Sequence, residues 1–300
     1  LIDFKVKHQN KKKLLELRDA SRKAFKVRWQ EFENQLGTVI EGVAPVCPIY
    51  LINLKDNPQR LERSKAAFEK LGLTFHRIEG VNGWKLSKAQ LEQAYDNLAC
   101  EKYGRHSLVP AEIGCYLSHI EAWRSIAEGQ APIGFVFEDD FAADDDLPNV
   151  LSSLSNDLGP WEIVKLFSLN NNPRTLMRRQ LGDQHELVLP YKVPTCNTAY
   201  AIRRETAAML VHQTQRFFRA VDEDFKFYWE KNLKIGLVLP APVRLGDQQA
   251  TTGTIGDARR KNQSGRSLLK AVKGIRYQLR YKLLLGWNRL VERTKGRLKV

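Results

Sequence analysis

The chain has 300 residues, of which 43% are hydrophobic and 27% are charged. This composition is typical of a folded protein and excludes a disordered or collagen-like chain. No segment approaches the roughly 20 consecutive apolar residues of a membrane-spanning helix, and the first residues show no secretory signal. The four cysteines form no C-x-x-C pair, which indicates free thiols in a reducing compartment rather than disulfides or a zinc cluster. We therefore expect a cytoplasmic protein.

The net charge of +14 is concentrated at the two ends of the chain. Residues 257–300 contain 14 basic and 2 acidic side chains, and residues 1–41 contain 10 basic and 6 acidic ones. The middle of the chain is close to neutral. An enzyme of nucleic acids would more often place basic charge around its working groove, so the sequence predicts no nucleic-acid partner.

The first part of the chain after its basic end predicts a β-α-β unit. Residues 49–54 are an apolar run typical of a buried strand. Asn57 and Pro58 mark the beginning of a helix that ends at Gly72, and residues 73–78 form a second strand. A strand, a helix and a strand at this spacing favour an α/β fold with a central, mostly parallel sheet.

Helices and strands continue to alternate after this unit. Ser87 and Gln90 form a capping box that begins one helix, and Pro110 begins a longer helix with apolar residues at helical spacing. Residues 134–137 predict a buried strand that leads directly into three acids. Further strands are predicted at residues 163–167, 198–202 and 235–239, with a helix over residues 205–218.

The three acids after this strand are Glu138, Asp139 and Asp140. A strand that ends in acids places carboxylates at the carboxyl edge of the sheet, where open α/β folds bind their ligands. Neighbouring carboxylates repel one another, and a cation between them offsets that cost. Oxygen ligands of this kind suit Mg²⁺ or Mn²⁺, which also hold substrate phosphates. The alternative is a solvated acidic turn without a ligand.

Three further features are candidates for ligand binding or catalysis. Arg60 and Arg63 lie on the first turns of the helix after the first strand, where guanidinium groups and a helix N-terminus suit a phosphate. His119 lies beside the apolar stripe of the helix that begins at Pro110, a position equally typical of a structural histidine. Residues 222–224 are a second acidic cluster, followed by aromatic residues that suit either sugar recognition or a core helix.

Four segments stand out by their order and spacing: INLKDNPQR at residues 52–60, EIGCYLSH at 112–119, FVFEDD at 135–140 and VDE at 221–223. Together they resemble glycosyltransferase family 25, which includes lipooligosaccharide and collagen galactosyltransferases. The resemblance implies a GT-A-like fold, a UDP-sugar donor, a divalent metal, and inversion at the anomeric carbon. Galactose is the sugar it implies first, and a glycan of lipopolysaccharide or lipooligosaccharide is the implied acceptor. Another nucleotide sugar or a protein acceptor is the alternative.

The resemblance also implies roles for individual residues on the donor side. Asp140 would bind the metal, Mn²⁺ or Mg²⁺. Glu138 and Asp139 would support the ribose or the sugar of the donor. Further contacts with the donor are implied for Asn53, Arg60, Ser118 and His119.

On the acceptor side, the resemblance implies that Asp222 or Glu223 is the catalytic base. This carboxylate would remove the proton of the acceptor hydroxyl as the new bond forms. Asp224 is the third acid of the same cluster, so the choice among the three stays open. As the bond to UDP breaks, negative charge grows on the diphosphate, and the metal would stabilise it.

The basic C-terminal tail, residues 257–300, predicts an amphipathic helix. Its apolar residues follow steps of three and four with basic residues around them, which fits an interfacial helix on anionic lipid. A helix that binds a partner or packs on the enzyme itself is the alternative.

The sequence thus predicts a basic N-terminal extension (1–45) with a charged helix over residues 11–36, a GT-A-like domain (46–256) and this tail. The enzyme would be peripheral on the inner face of the cytoplasmic membrane, close to a lipid-linked acceptor. The apolar stripe is Leu268, Val272, Ile275, Leu279, Leu283, Trp287 and Leu290.

Two other classes of function remain open. A metal-dependent phosphoesterase would use the same acids, but it would carry more histidines at metal-ligand spacing than His119 alone. A non-catalytic RNA-binding protein could use the basic ends, but the near-neutral middle argues against it. Release of UDP rather than of free phosphate would separate the transferase from the phosphoesterase.

Overall fold

The structure, a computed structural model, describes residues 47–246 and 268–296. The helix predicted over residues 11–36 lies outside the described residues. Within the described ranges the strands are β1 (Ile49–Leu54), β2 (His76–Gly80), β3 (Ile133–Glu138), β4 (Phe141–Ala143), β5 (Ile163–Lys165), β6 (Thr175–Leu181), β7 (His185–Pro190), β8 (Ala199–Arg203), β9 (Ile235–Leu239) and β10 (Val243–Leu245). The α-helices are α1 (Pro58–Lys70), α2 (Lys88–Ala94), α3 (Asn97–Tyr103), α4 (Pro110–Glu128), α5 (Leu147–Ser155), α6 (Arg204–Gln213), α7 (Val221–Lys226) and α8 (Leu268–Thr294).

Eight strands form one sheet, in the order β2-β1-β3-β8-β5-β9-β7-β6. Strand β1 runs parallel to β2 and β3, and β5 runs parallel to β9, whereas the remaining neighbours are antiparallel. The sheet is thus parallel over β2-β1-β3 and mixed beyond it, rather than mostly parallel as the sequence predicted. The difference arises because β8 returns in the opposite direction between β3 and β5. The β6–β7 hairpin then adds further antiparallel pairs at one edge.

The predicted β-α-β unit is confirmed as β1, α1 and β2. Helix α1 begins at Pro58, whose fixed φ suits the first helical position. It ends at Lys70, and Gly72 then adopts a φ of +66°, a conformation that favours glycine. The capping box of Ser87 and Gln90 is also confirmed, with both reciprocal hydrogen bonds present. These local signals act over a few residues, which explains why the sequence alone reveals them.

Both faces of the sheet are covered, so its central strands are largely apolar, with Asn53 and Lys165 as polar exceptions. In β1, Tyr50 and Ile52 enter one hydrophobic core, and Ile49 and Leu51 enter a second core on the other side. This alternation follows from the two-residue period of a strand. Because both sets are buried, the run at residues 49–54 shows no polar alternation.

Helix α4 packs against β1, β2 and β3 and carries the sequence motif of residues 112–119. Its Tyr116 and Trp123 side chains are buried in the core. Gly114 lets the helix touch the chain that follows β2, since a Cβ there would lie 2.5 Å from the backbone nitrogen of Gly83. No side chain fits this space, so Gly114 sets how closely α4 approaches the sheet.

Helix α8 confirms the helix predicted in the tail and has two different faces. On the inner face, Tyr277, Tyr281 and Leu285 are buried in the same core as α4. Arg289 fastens this face to the sheet, because its Nη2 donates to the carbonyl of Pro190 at 2.5 Å. No helix in the described ranges is both long and apolar enough to cross a membrane. The outer face exposes the apolar stripe, of which Val272, Ile275, Leu279, Leu283, Trp287 and Leu290 are described.

Candidate active site

The acids at the end of β3 lie against β1 and the helix α1 that follows it. The parallel register places Ile52 of β1 opposite Glu138 of β3, so the next residues of the two strands are neighbours. Asn53 donates from Nδ2 to Oδ2 of Asp139 at 2.7 Å, and Arg60 donates from Nη1 to Oδ1 of Asp139 at 2.9 Å. Both carboxylate oxygens of Asp139 are therefore held by α1 and β1. These three residues, two of which are nearly fully buried, form an anchor that fixes the turn after β3.

Glu138 is held by a chain of buried hydrogen bonds that runs across α4 and β8. Trp123 donates from Nε1 to the hydroxyl of Tyr200 at 2.7 Å, and this hydroxyl lies 2.9 Å from Nδ1 of His119. Nε2 of His119 then lies 3.0 Å from Oε1 of Glu138. The indole N–H of Trp123 can only donate, so the hydroxyl of Tyr200 accepts from it and donates its own hydrogen bond to Nδ1 of His119. His119 then donates from Nε2 to the carboxylate of Glu138. His119 has no exposed surface, so it acts on Glu138 rather than on a ligand in solution.

Ser118 serves to attach α4 to the loop after β2. Its hydroxyl accepts from the backbone nitrogen of Val81 at 2.8 Å and donates to the carbonyl of Gly114 at 2.8 Å. The residue is buried. The observed contacts of Ser118 are therefore structural, and its implied contact with the donor stays a prediction.

Asp140 lies in the turn between β3 and β4. The small two-stranded sheet of β4 and β10 continues from this turn, and Gly246 donates its backbone N–H to the carbonyl of Asp140 at 2.7 Å. The charge of this carboxylate acts on the thiol of Cys115 on α4. Burial first, and then the carboxylates of Glu138, Asp222, Asp140 and Glu112, raise the pKa of Cys115 well above its ordinary value. Four acids from different parts of the chain therefore act on the same buried thiol.

The three acids of α7 face different surroundings. Oδ2 of Asp222 accepts from the backbone nitrogen of Cys196 at 3.1 Å, and its other oxygen accepts from the nitrogen of Glu223 at 2.8 Å. Glu223 instead faces α8, where the hydroxyl of Tyr277 lies 3.4 Å from Oε2. An exposed guanidinium, that of Arg105, lies 3.8 Å from the other oxygen of Glu223. Of these two candidate bases, Asp222 is the one whose charge acts, together with that of Glu138, on Cys115 and Lys165.

Asp224 belongs to a buried cluster of charges. Its carboxylate accepts from the hydroxyl of Tyr116 at 2.8 Å and pairs with Arg219 at 3.0 Å and with Lys231. Burial acts to raise its pKa, but the charges of Lys231 and Arg219 outweigh burial and hold the pKa of Asp224 below its ordinary value. The contacts of Asp224 connect α7 to α4 and to the chain after α7, which is a structural role.

Lys165 is a residue of the site that sequence reasoning missed. It lies fully buried on β5 and donates from Nζ to Oδ1 of Asn197 at 2.7 Å, to the carbonyl of Pro194 at 3.2 Å and to the carbonyl of Cys196. Burial lowers its pKa to about 8, although Asp222 and the other nearby anions act in the opposite direction. The signal in the sequence is a lysine within an otherwise apolar strand.

The carboxylates of the site fit a hard divalent cation. Glu138 and Asp140 lie two residues apart in the same turn, and a cation of charge +2 would offset the repulsion between such carboxylates. A second set of donor atoms lies close together: those of Cys115, His119 and Glu138 fall within 4.8 Å of one another. A thiol and an imidazole suit a softer metal than Mg²⁺ or Mn²⁺.

A sheet covered on both faces, with three acids at the carboxyl end of β3, defines a mixed α/β domain with a candidate ligand site at that edge of its sheet. A comparison with protein families identifies which one. The model of "Glycosyltransferase family 25 (LPS biosynthesis protein)" matches residues 46–224, so the chain belongs to this family. This match confirms the resemblance seen in the sequence, and it includes every candidate site residue from Asn53 to Glu223.

The relatives of this chain include proteins named as galactosyltransferases and a protein named as inactive. Procollagen galactosyltransferase 1-A of Xenopus laevis is 29% identical over 125 residues, and procollagen galactosyltransferase 1-B of the same organism is 33% identical over 121 residues. These matches cover 39% of this chain in both cases and 20% and 19% of the relatives. Inactive glycosyltransferase 25 family member 3 of Homo sapiens is 28% identical over 184 residues, which is 58% of this chain and 30% of the relative. The chain thus matches less than a third of each of these proteins.

Proposed function

We propose that the protein is an inverting glycosyltransferase that moves galactose from UDP-galactose to a glycan of lipopolysaccharide or lipooligosaccharide. The observation that carries this proposal is the hydrogen-bonded turn of Glu138, Asp139 and Asp140 at the carboxyl end of β3, within a family 25 domain. The galactosyltransferase names of two relatives support the choice of sugar. The family description supports lipopolysaccharide biosynthesis as the setting.

On the donor side, we assign Asp140 as the ligand of Mn²⁺ or Mg²⁺. When bound, this cation would supply positive charge against the diphosphate that leaves with UDP. Glu138 lies two residues before Asp140 and is oriented by His119, which suits a contact with the sugar or ribose hydroxyls. The anchor of Asn53, Arg60 and Asp139 holds the turn on which these two acids lie. Its residues therefore support the donor site chiefly by positioning.

On the acceptor side, we assign Asp222 as the base. An acceptor hydroxyl becomes a better nucleophile when a carboxylate takes its proton during attack. Two backbone N–H groups orient the carboxylate of Asp222, and its partial exposure leaves it reachable. Glu223 is the alternative base, but it lies against α8 and is nearly fully buried.

The outer face of α8 supports attachment to an anionic membrane surface. Its stripe combines large apolar side chains, such as Trp287 and Leu283, with neighbouring arginines, such as Arg276 and Arg280. Apolar burial and charge attraction together give stable binding to an interface, whereas either alone is weak. This face would hold the enzyme on the inner face of the cytoplasmic membrane, where a lipid-linked acceptor is accessible.

A screen of nucleotide sugars tests the proposal. UDP-galactose, UDP-glucose and GDP-mannose are incubated with core oligosaccharide from lipopolysaccharide, in the presence of Mn²⁺, Mg²⁺ or EDTA. We expect UDP release from UDP-galactose that depends on both the acceptor and the divalent ion. Transfer to a collagen-like peptide instead would assign a protein acceptor. Release of phosphate without UDP would identify a phosphoesterase, and no release from any donor would place the chain with its inactive relative.

A further inference from the structure

We infer that the groove between the end of β7 and the loop after β5 is the acceptor subsite, and that it takes an anionic glycan. This inference rests on the proposed function, because it names the class of acceptor for the same reaction. The groove has a volume of about 470 Å³ and combines hydroxyl, amide, aromatic and basic groups. Its lining includes Ser168, Asn170, Arg174, Tyr191, Lys192 and Thr195.

The groove is directly connected to the proposed base. One wall is formed by Pro194 and Thr195, and the next residue is Cys196, whose backbone N–H binds Asp222. The buried ammonium of Lys165 holds the same loop in position by donating to the backbone carbonyls of Pro194 and Cys196. A glycan that lies in the groove is thus one residue away from the group that would take its proton. The acceptor hydroxyl must be aligned with the base, and a loop held in one position beside Asp222 provides this alignment.

The charge of the groove selects an anion. Arg174 and Lys192 are both exposed, and neither forms an ion pair with another described residue. The guanidinium of Arg174 stacks over the ring of Tyr191 at 4.3 Å, which presents a flat surface with a positive edge. A sugar ring stacks on such a surface, and a guanidinium binds phosphate or carboxylate by paired hydrogen bonds. A positively charged acceptor peptide would be repelled by the same two groups.

The position of α8 agrees with this assignment. Arg289 on its inner face donates to the carbonyls of Pro190 and Tyr191, and Tyr191 lines the groove. The lining of the groove thus includes one residue bound to α8 and, in Thr195, the neighbour in sequence of the residue that binds Asp222. An acceptor with its lipid in a membrane below α8 could place its glycan in this groove.

The test compares the double variant Arg174→Ala, Lys192→Ala with the control Arg178→Ala. Arg178 is an exposed arginine of β6 that pairs with Glu186 and does not line the groove. Two probes are used: lipid-free core oligosaccharide from lipopolysaccharide with its phosphates intact, and the same oligosaccharide after removal of its phosphates. Binding of each probe is measured by calorimetry, and the KM for the acceptor is measured by UDP release.

We expect the phosphorylated probe to bind the wild type at least tenfold more tightly than the dephosphorylated probe. The double variant should lose this difference, with an acceptor KM at least tenfold higher, while the control behaves as the wild type. Slow release of UDP to water, which needs no acceptor, should be the same in the Arg178→Ala control as in the wild type. Equal binding of both probes by the wild type, or an unchanged preference in the double variant, would overturn the inference. If calorimetry shows the preference but no donor is turned over, the proposed reaction is wrong and the anion site still stands.

Discussion

The ammonium of Lys165 donates to the carbonyl of Cys196, the residue whose own backbone N–H donates to the carboxylate of Asp222. Cys196 has a φ of +65°, a left-handed conformation that is uncommon for a residue with a side chain. The buried lysine stabilises this conformation by donating to the carbonyls on either side of Thr195. Lys165 therefore determines where the N–H that orients Asp222 points.

The first prediction concerns this lysine. Lys165→Met keeps the length and apolar stem of the side chain but removes its three donated hydrogen bonds. We expect kcat to fall by about 100-fold, because small displacements of a catalytic group have effects of this size. The affinity for UDP-galactose, measured by calorimetry, should stay within about twofold. Far-UV circular dichroism provides the check on folding, and an unchanged kcat would contradict the positioning role.

The second prediction concerns the metal. Asp140→Asn preserves the size of the side chain but removes the charge that would hold the cation. We expect transfer to fall by at least about 1,000-fold even at saturating Mn²⁺, because the leaving diphosphate loses its counter-charge. Asp144→Asn, directly after the strand β4 that follows the same turn, is the matched control and should be nearly neutral, because Asp144 forms a surface ion pair with Arg244. Near-normal turnover in Asp140→Asn would show that this carboxylate does not bind the metal.

The third prediction separates the candidate bases. Asp222→Asn should lower kcat by about 100-fold or more without weakening donor binding, because a base acts only in the transition state. Glu223→Gln should lower kcat much less, since its carboxylate faces Tyr277 and the helix α8. Single-turnover transfer and donor titration measure the two quantities separately. A larger loss of kcat in Glu223→Gln would reverse the assignment.

The fourth prediction concerns stability and pH. Asp224→Ala should lower the free energy of unfolding at pH 7 by about 3 kcal/mol, because it removes the buried carboxylate that pairs with both Arg219 and Lys231 and leaves Arg219 paired with Glu230 alone. The lowered pKa of Asp224 means that the folded state binds this proton less readily than the unfolded chain. Its stabilisation is therefore complete above the ordinary value near 3.8 and is lost as the pH falls below it.

Urea unfolding of both proteins between pH 3 and pH 7 measures this effect. The difference between wild type and Asp224→Ala should narrow as the pH approaches the lower end. Asp145→Ala is the control, because Asp145 forms an exposed ion pair with Lys70 and should change stability little. A difference that stays constant down to pH 3 would show that the pKa of Asp224 is the same in the folded and unfolded states, which contradicts the lowered pKa.

The sequence predicted the elements whose signals are local and missed those that depend on tertiary contacts. Pro58, the capping box and the apolar run of β1 each act within a few residues, and all three features are present. Strand β6 was missed because its residues are largely exposed and charged, as an edge strand allows. The hairpin it forms with β7 changes the sheet from mostly parallel to mixed.

The same distinction applies to the site. The acids after β3 were found because they follow a buried strand, but the separate roles of the acids on α7 could not be found in this way. Successive residues of a helix point about 100° apart, so three neighbouring acids face three surroundings. Only the structure shows that Asp222 meets Cys196, that Glu223 meets α8, and that Asp224 enters a cluster of buried charges. The role of Lys165 could not be deduced from the sequence, because the groups to which it donates lie about 30 residues away along the chain.

The fifth prediction concerns the outer face of α8. Leu279→Gln together with Leu283→Gln removes apolar surface from the stripe while keeping good helix formers. Both side chains are more than half exposed, at 56% and 73%, so the free energy of unfolding should change little. Leu98→Gln, at a position that is 78% exposed on α3, is the control for loss of an exposed leucine elsewhere.

Binding to vesicles that contain phosphatidylglycerol measures whether the exposed outer face of α8 attaches the protein to anionic lipid. We expect the double variant to bind at least tenfold more weakly than the wild type and the Leu98→Gln control, because interfacial binding needs the apolar term as well as the charges. Raising the salt from 0.05 to 0.5 M should weaken binding of the wild type, since each basic residue contributes only about 1 kcal/mol and is screened. Deletion of α8 is the wrong test here, because Tyr277 and Tyr281 belong to the core and their loss would destabilise the domain. Vesicle binding by the double variant equal to that of the wild type would show that the stripe faces something other than lipid.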